Sequence, residues 1–351
     1  MRDTLIKSWI IALALLPGMA AAQSSREEAW RWCASQGAGI SRETQITGCS
    51  WLINSRHETP QNLAASYFNR ANARSKSGDY KGAIADLTEA INVKPDFGVA
   101  FSLRAFFRFV SGDRTGAITD FSEAIRLNPR DPEAFSNRGA VRTAVGDHVG
   151  AIADYDEAIR LSPGTVTTYV NRGLARAAAG DYAKAIADYT EAIRINPQHA
   201  SAFLARADAR TTQGDLAGAI ADYSDAIRIN PRDAGVLATR GVLQYRVGEA
   251  DAARIDIEAA IRLVQPGDGR PHTARAGLAL LRGDRTAAIA DLSEALRRNN
   301  NDSAALGLRA ILHAAEGDAA KAAADAAAAR RINPMIAEVI RSQFGPELVL
   351  P

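Results

Sequence analysis

Histidine is the side chain best suited to acid–base or metal chemistry near neutral pH, and this sequence has five: His57, His148, His199, His272 and His313. They are scattered. None opens a His-Glu-x-x-His zinc-protease pattern or joins a nucleophile motif, and no glycine-rich phosphate loop is present. The many Ser, Asp and Glu residues sit at turn or helix-surface positions, where a structural or solvated role outweighs a catalytic one. No catalytic, cofactor-binding or metal-binding residue is therefore assigned, and the chain reads as a non-enzyme. The two cysteines, Cys33 and Cys49, are sixteen residues apart and follow an export-type leader. In an oxidising compartment they are expected to form a structural disulfide across a helix, a turn near Gly37 and Gly39, and a second helix. On the chain-entropy account such a bridge contributes ~3 kcal/mol; a metal site would need more ligands than lie nearby.

The charged residues that do show a pattern are arginines and aspartates. One arginine column runs Arg70, Arg104, Arg138, Arg172, Arg206, Arg240, Arg275, Arg309; a second runs Arg74, Arg108, Arg142, Arg176, Arg210 and then changes to Gln244, Ala279, His313. Aspartates keep the same beat at Asp86, Asp120, Asp154, Asp188, Asp222, Asp256, Asp291 and Asp325, most with a further acid three residues on, such as Glu89 or Glu123. Arginine matches a carboxylate bidentately, as lysine does not. The columns suggest an internal ion-pair ladder, represented by Arg138 with Asp154, Arg172 with Asp188 and Arg206 with Asp222. Such pairs confer register more than stability, because losing one partner of a buried pair costs about 3–5 kcal/mol while the intact pair gains little over apolar packing. The competing reading is a phosphate track for nucleic acid, but 42 basic against 40 acidic residues give a net charge of only +2. That balance supplies no broad field for nucleic acid or an anionic membrane.

These columns exist because the sequence repeats. Gly78-Asp79, Gly112-Asp113, Gly146-Asp147, Gly180-Asp181, Gly214-Asp215 and Gly248-Glu249 recur every thirty-four residues, and after one extra residue near Pro266 the register resumes at Gly283-Asp284 and Gly317-Asp318. Eight units cover residues 64–336, with a proline ladder from Pro95 to Pro334 in step. Within a unit, apolar and small residues such as Ala185, Ile186, Tyr189, Ala192 and Ile193 follow a helical period. The glycine permits a turn, the aspartate caps a second helix, and the proline ends it. Each hairpin is too thin to bury its face alone. Stacking on neighbours supplies the missing wall.

The recurring small and large residues resemble the tetratricopeptide-repeat family: Tyr169, Gly173, Ala185, Tyr189, Ala192 and Pro197 in the fourth unit, and Phe203, Ala207, Ala219, Tyr223, Ala226 and Pro231 in the fifth. The resemblance implies an all-α solenoid of about eight stacked helix-turn-helix repeats forming a superhelix. The arginine columns depart from it, standing where the family usually carries a leucine and a tyrosine. It also implies a non-enzymatic scaffold or adaptor that binds a peptide or protein segment along the concave surface of its first helices, with no cofactor and no nucleic acid. The matching positions are Phe68, Asn72, Phe106, Phe109, Val110, Leu174, Asp208, Tyr245 and Arg246, with Lys76, Ser102, Ser136, Ala140, Val170, Ala177, Leu204 and Val242 beside them. Asn72 and Lys76 could imitate part of the carboxylate grip of some relatives, but Ser102, Phe106, Ser136 and Ala140 do not continue it. An extended apolar or helical guest fits better, and Phe106, Phe109 and Val110 could instead cover the N-terminal hairpin. An accessory subunit of a cell-envelope enzyme or export complex is the alternative function.

The ends complete the organisation. Arg2 and Lys7, the apolar run from Trp9 to Leu16 and the small residues Ala20 to Ala22 read as a signal peptide over residues 1–22, with cleavage before Gln23 and a periplasmic or secreted product. Residues 23–63 are expected to form a helical hairpin holding the disulfide. Met335, Ile336, Val339, Ile340 and Phe344 fall at helical spacing, so residues 337–351 are expected to hold a capping helix over the last repeat and a tail. No later segment is long enough to span a membrane.

Overall fold

The turn between the two helices of a repeat is built from a glycine and an acid. Gly146, at φ +83°, occupies the left-handed region that other residues avoid, and the Asp147 carboxylate then accepts the Gly150 amide at 2.9 Å to cap the next helix. The same capping bond recurs at Asp79, Asp113, Asp181, Asp215, Asp284 and Asp318. At the far end of each such helix an asparagine, lysine or serine leaves helical geometry, as Asn196 does at φ −133°, ψ 95°, and a proline follows in most units.

The computed structural model describes residues 17–35, 39–263, 268–281, 283–344 and 350, and among these the only regular structure is helical. The apolar run of the leader lies outside the described residues. The chain forms two compact units, residues 1–163 and 164–351. In the first, α1 (Pro17–Ala34) and α2 (Arg42–Ser55) precede three repeat hairpins: α3 (Pro60–Ser75) with α4 (Tyr80–Val93), α5 (Gly98–Val110) with α6 (Arg114–Leu127), and α7 (Pro132–Ala144) with α8 (His148–Leu161). α1 continues through the expected cleavage point before Gln23. A disulfide joins Cys33 to Cys49 and so ties α1 to α2. The second unit holds α9 (Val166–Ala178) with α10 (Tyr182–Ile195), α11 (Ala200–Thr212) with α12 (Leu216–Ile229), α13 (Ala234–Arg246) with α14 (Ala250–Leu263), α15 (Arg270–Leu281) with α16 (Arg285–Arg298), and α17 (Ser303–Ala315) with α18 (Ala319–Ile332). It ends on an unpaired helix, α19 (Ile336–Phe344).

The first seven repeat hairpins close on small residues under one large one. Leu87, Phe121, Tyr155, Tyr189, Tyr223, Ile257 and Leu292 stand on successive second helices and are buried. Opposite them the first helices carry alanine or glycine, and at Gly173 a Cβ would run into the Tyr189 ring. Burying one such large side chain stabilises by about 1.5–3 kcal/mol. The second helix of one repeat packs on the first helix of the next, α4 on α5 and α6 on α7 in the first unit, α10 on α11 and α16 on α17 in the second. The fold is an all-α stack of helix-turn-helix repeats, nine hairpins among the described residues because α1 and α2 form one beside the eight read from the period. Among the described residues no helix is long and apolar enough to cross a membrane.

Candidate protein-interaction surface

The first helices are held in place by the two arginine columns. Arg138 on α7 donates from Nε and Nη2 to the two carboxylate oxygens of Asp154 on α8, at 3.0 and 2.6 Å. Arg142, one helical turn later, donates from Nη1 to the same Asp154 at 2.9 Å and to the Gly150 carbonyl at 3.1 Å. Asp154 is almost wholly buried, while Arg138 and Arg142 keep only their edges in water. Two cations therefore converge on one acid, and the hydrogen bonds they donate satisfy a carboxylate that burial would otherwise punish. The arrangement recurs at Arg104, Arg108 and Asp120 in the first unit, and at Arg172, Arg176 and Asp188 and Arg206, Arg210 and Asp222 in the second. From Arg240 on the second arginine is gone, and Arg240, Arg275 and Arg309 meet Asp256, Asp291 and Asp325 without it. Each ladder guanidinium from Arg70 to Arg206 also lies over the aromatic ring three residues before it, Arg138 at 5.7 Å from Phe135.

A third partner was not read from the sequence. Arg138 Nη1 donates to the Ser122 hydroxyl at 3.0 Å, on the second helix of the preceding hairpin. Arg104 does the same to Thr88, Arg206 to Thr190 and Arg240 to Ser224. Each hydroxyl in turn donates to the carbonyl four residues back on its own helix, as Ser122 does to Ile118 at 2.7 Å. One arginine thus fastens two second helices. The signal was present as a Ser or Thr two residues after the ladder aspartate, in Asp120-Phe121-Ser122 for example. The further acids in the sequence pattern play another part: Glu123, Glu157, Glu191 and Glu294 pair on the surface with an arginine three residues on.

The side chains expected to face a partner are distributed unevenly. In the first unit Phe106 and Val110 on α5 are each about half exposed. Phe109 turns inward beside Phe121, and Phe68 packs on Phe97 with ring centres 5.3 Å apart. Asn72 is half-buried. In the second unit Leu174 stands 48% exposed at a cavity of about 370 Å³ that Val170, Ala177 and Leu204 also line. Asp208 reaches this cavity and a larger one of about 860 Å³, which Arg246 and Val242 also line. The Tyr223 hydroxyl donates to the Asp208 carboxylate. Although Asp208 borders open space, burial of its carboxyl against the helices raises its pKa above the ordinary carboxylate value, with the tyrosine bond opposing. Tyr245 is half-buried against the core around Leu237 and Ile257. Among the described residues no three His, Cys, Asp or Glu side chains are grouped to hold a metal ion.

Tetratricopeptide-repeat family profiles match residues 64–97, 108–165 and 170–234. The chain is a tetratricopeptide-repeat protein. A tetratricopeptide-repeat protein from Parabacteroides merdae superposes with a TM-score of 0.55 at 19% identity, over 70% of this chain and 96% of that one. The Pseudomonas aeruginosa pilF structure superposes with a TM-score of 0.52 at 19% identity, over 62% of this chain and 99% of its own. PilW, described as a type IV pilus biogenesis factor, is 21% identical over 56% of this chain and 91% of its own, with a TM-score of 0.49. At these identities the likeness is one of fold. No curated protein matches the sequence. As a tetratricopeptide-repeat protein, the chain is a scaffold for protein–protein contacts.

Proposed function

We propose that this scaffold works as an accessory subunit of a cell-envelope or export assembly, in the periplasm after removal of residues 1–22, and that it engages a protein segment along its first-helix face. The observation that carries this reading is the combination of exposed aliphatic and aromatic side chains with small neighbours on that face: Phe106 and Val110 in one unit, Leu174 above its cavity in the other. Large apolar side chains left in water by a helix that is otherwise well packed favour a partner that covers them.

The test compares wild type with Leu174→Asp and with Phe106→Asp, each crosslinked in the periplasmic fraction and analysed by native electrophoresis. Wild type is expected to migrate in a larger assembly that at least one variant leaves while keeping wild-type helicity. Identical assemblies for all three forms would remove the first-helix face from the binding reaction. Recovery of the chain only in the cytosol would remove the envelope assignment. A free-standing adaptor that binds a peptide without joining an assembly is the second reading, favoured by the cavity beside Leu174, and it predicts loss of a small crosslinked adduct instead.

A further inference from the structure

Within residues 164–351, each first helix that follows another hairpin rests on the second helix before it: α11 on α10, α13 on α12, α15 on α14 and α17 on α16. α19 follows α18 directly yet packs on α17 instead. The connection explains the change of direction. Asn196, Asn230 and Asn299 each stand four residues before the next helix begins, at Ala200, Ala234 and Ser303, whereas Ile336 begins α19 three residues after Asn333. With its helix entered one residue sooner, α19 sets Ile336 and Val339 against the core cluster around α17.

Both side chains lie on the first-helix side. Ile336 is 1% exposed and sits in the last core cluster with Leu306 and Leu312, and Val339 is half-buried against the same cluster, as is Val242 from α13. Ile336, Val339 and Arg341 form one wall of the 860 Å³ cavity whose other walls come from α11, α13, α15 and α17. We propose that α19 is an internal occupant of this surface, seated where a partner helix docks, and that this end of the surface takes short amphipathic helices presenting aliphatic side chains three residues apart. The inference rests on the protein-binding reading above and names the chemistry of its guest. A helix laid into a groove is read by anchors at such spacings, and Ile336 and Val339 supply them.

The test uses the full chain and a labelled synthetic peptide of residues 334–344. In wild type the tethered copy competes at an effective concentration on the order of millimolar, so the free peptide binds weakly. Val339→Asp, which undocks the tethered copy, should bind the peptide at least ~10-fold tighter, and adding Val242→Arg should abolish the gain. Hydrogen exchange on unmodified protein gives an independent readout: α19 amides should exchange far faster than those of α17, by an opening that leaves α17 intact. Equal protection of α19 and α17, a Val339→Asp chain that unfolds, or one that folds without gaining peptide affinity would each make α19 an integral cap and overturn the inference. None of these outcomes alters the assembly comparison that tests the scaffold reading.

Discussion

Asp154 shows how much one buried acid can organise. It receives three charge-assisted bonds from two arginines of α7, so removing it strands two guanidinium groups, while removing Arg142 leaves the bidentate pair with Arg138 whole. Asp154→Ala should therefore lower unfolding free energy by about 3–5 kcal/mol, and Arg142→Ala by only about 1 kcal/mol, as measured by urea denaturation. Ser122→Ala should cost about 1 kcal/mol as well, because the Arg138 Nη1 bond across to the preceding hairpin is lost. Losses under ~0.5 kcal/mol for all three would reduce the network to surface decoration. The arginine and aspartate columns are legible in the sequence because each recurs at a fixed phase. Ser122 is not, because a hydroxyl is an ordinary helix-surface residue until the next hairpin brings a guanidinium to it. At Asp208, which the repeat puts on the first-helix face, the structure adds a bond that the sequence does not announce: the Tyr223 hydroxyl donates to its carboxylate.

At the scale of an element, the turn decides where each second helix begins. Gly146 adopts φ +83° with nothing within 4 Å of where a Cβ would stand, so the cost of Gly146→Ala is purely one of backbone conformation, about 1–2 kcal/mol. Asp147→Ala removes the bond to the Gly150 amide and should cost about 1 kcal/mol. Both should speed amide exchange in the first turn of α8 and leave α7 protected; equal loosening of both helices would show that the turn does not act locally. Helix boundaries of this kind are readable because glycine and acid punctuate every repeat and proline most of them. The path of α15 was not. The sequence shows one extra residue near Pro266, and the structure answers with an α15 that leans on α13 as well as α14. A count of residues gives the slip in register, but the direction of the shift depends on which neighbouring side chains yield. The same holds for α19, whose helical spacing fits a cap on the last repeat and which packs on the first helix of that repeat, α17.

At the scale of the whole molecule, opposed charges cancel locally and the net charge is +2, so pH acts through a few badly placed groups and not through global repulsion. His272 is the clearest. It is 6% exposed, neither ring nitrogen has a hydrogen-bond partner among the described residues, and its neighbours of both signs are Arg298, Arg275, Asp291 and Glu294. Burial, aided by the two arginines, pushes its pKa below the ordinary imidazole value. The unfolded chain then binds a proton that the folded chain refuses, so the stability is complete above about pH 6.5 and declines as pH falls below it. Urea midpoints should drop between about pH 7.5 and 5.5, and His272→Leu should flatten that slope; an unchanged slope would clear His272 of the effect. Glu294, held down to about 2 by Arg297 and Arg298, loses its charge only at far lower pH and does not confuse the measurement. The ladder has a consequence for descent. Arg138 finds an acid sixteen residues ahead and a hydroxyl sixteen residues behind, and Arg104 does the same, so a block cut at the thirty-four-residue period between repeats that keep both partners carries matching plugs and sockets at its two ends. Copying or deleting such a block in a gene restores every connection at the seam, which lets a lineage lengthen or shorten the protein without inventing a new way to fold it.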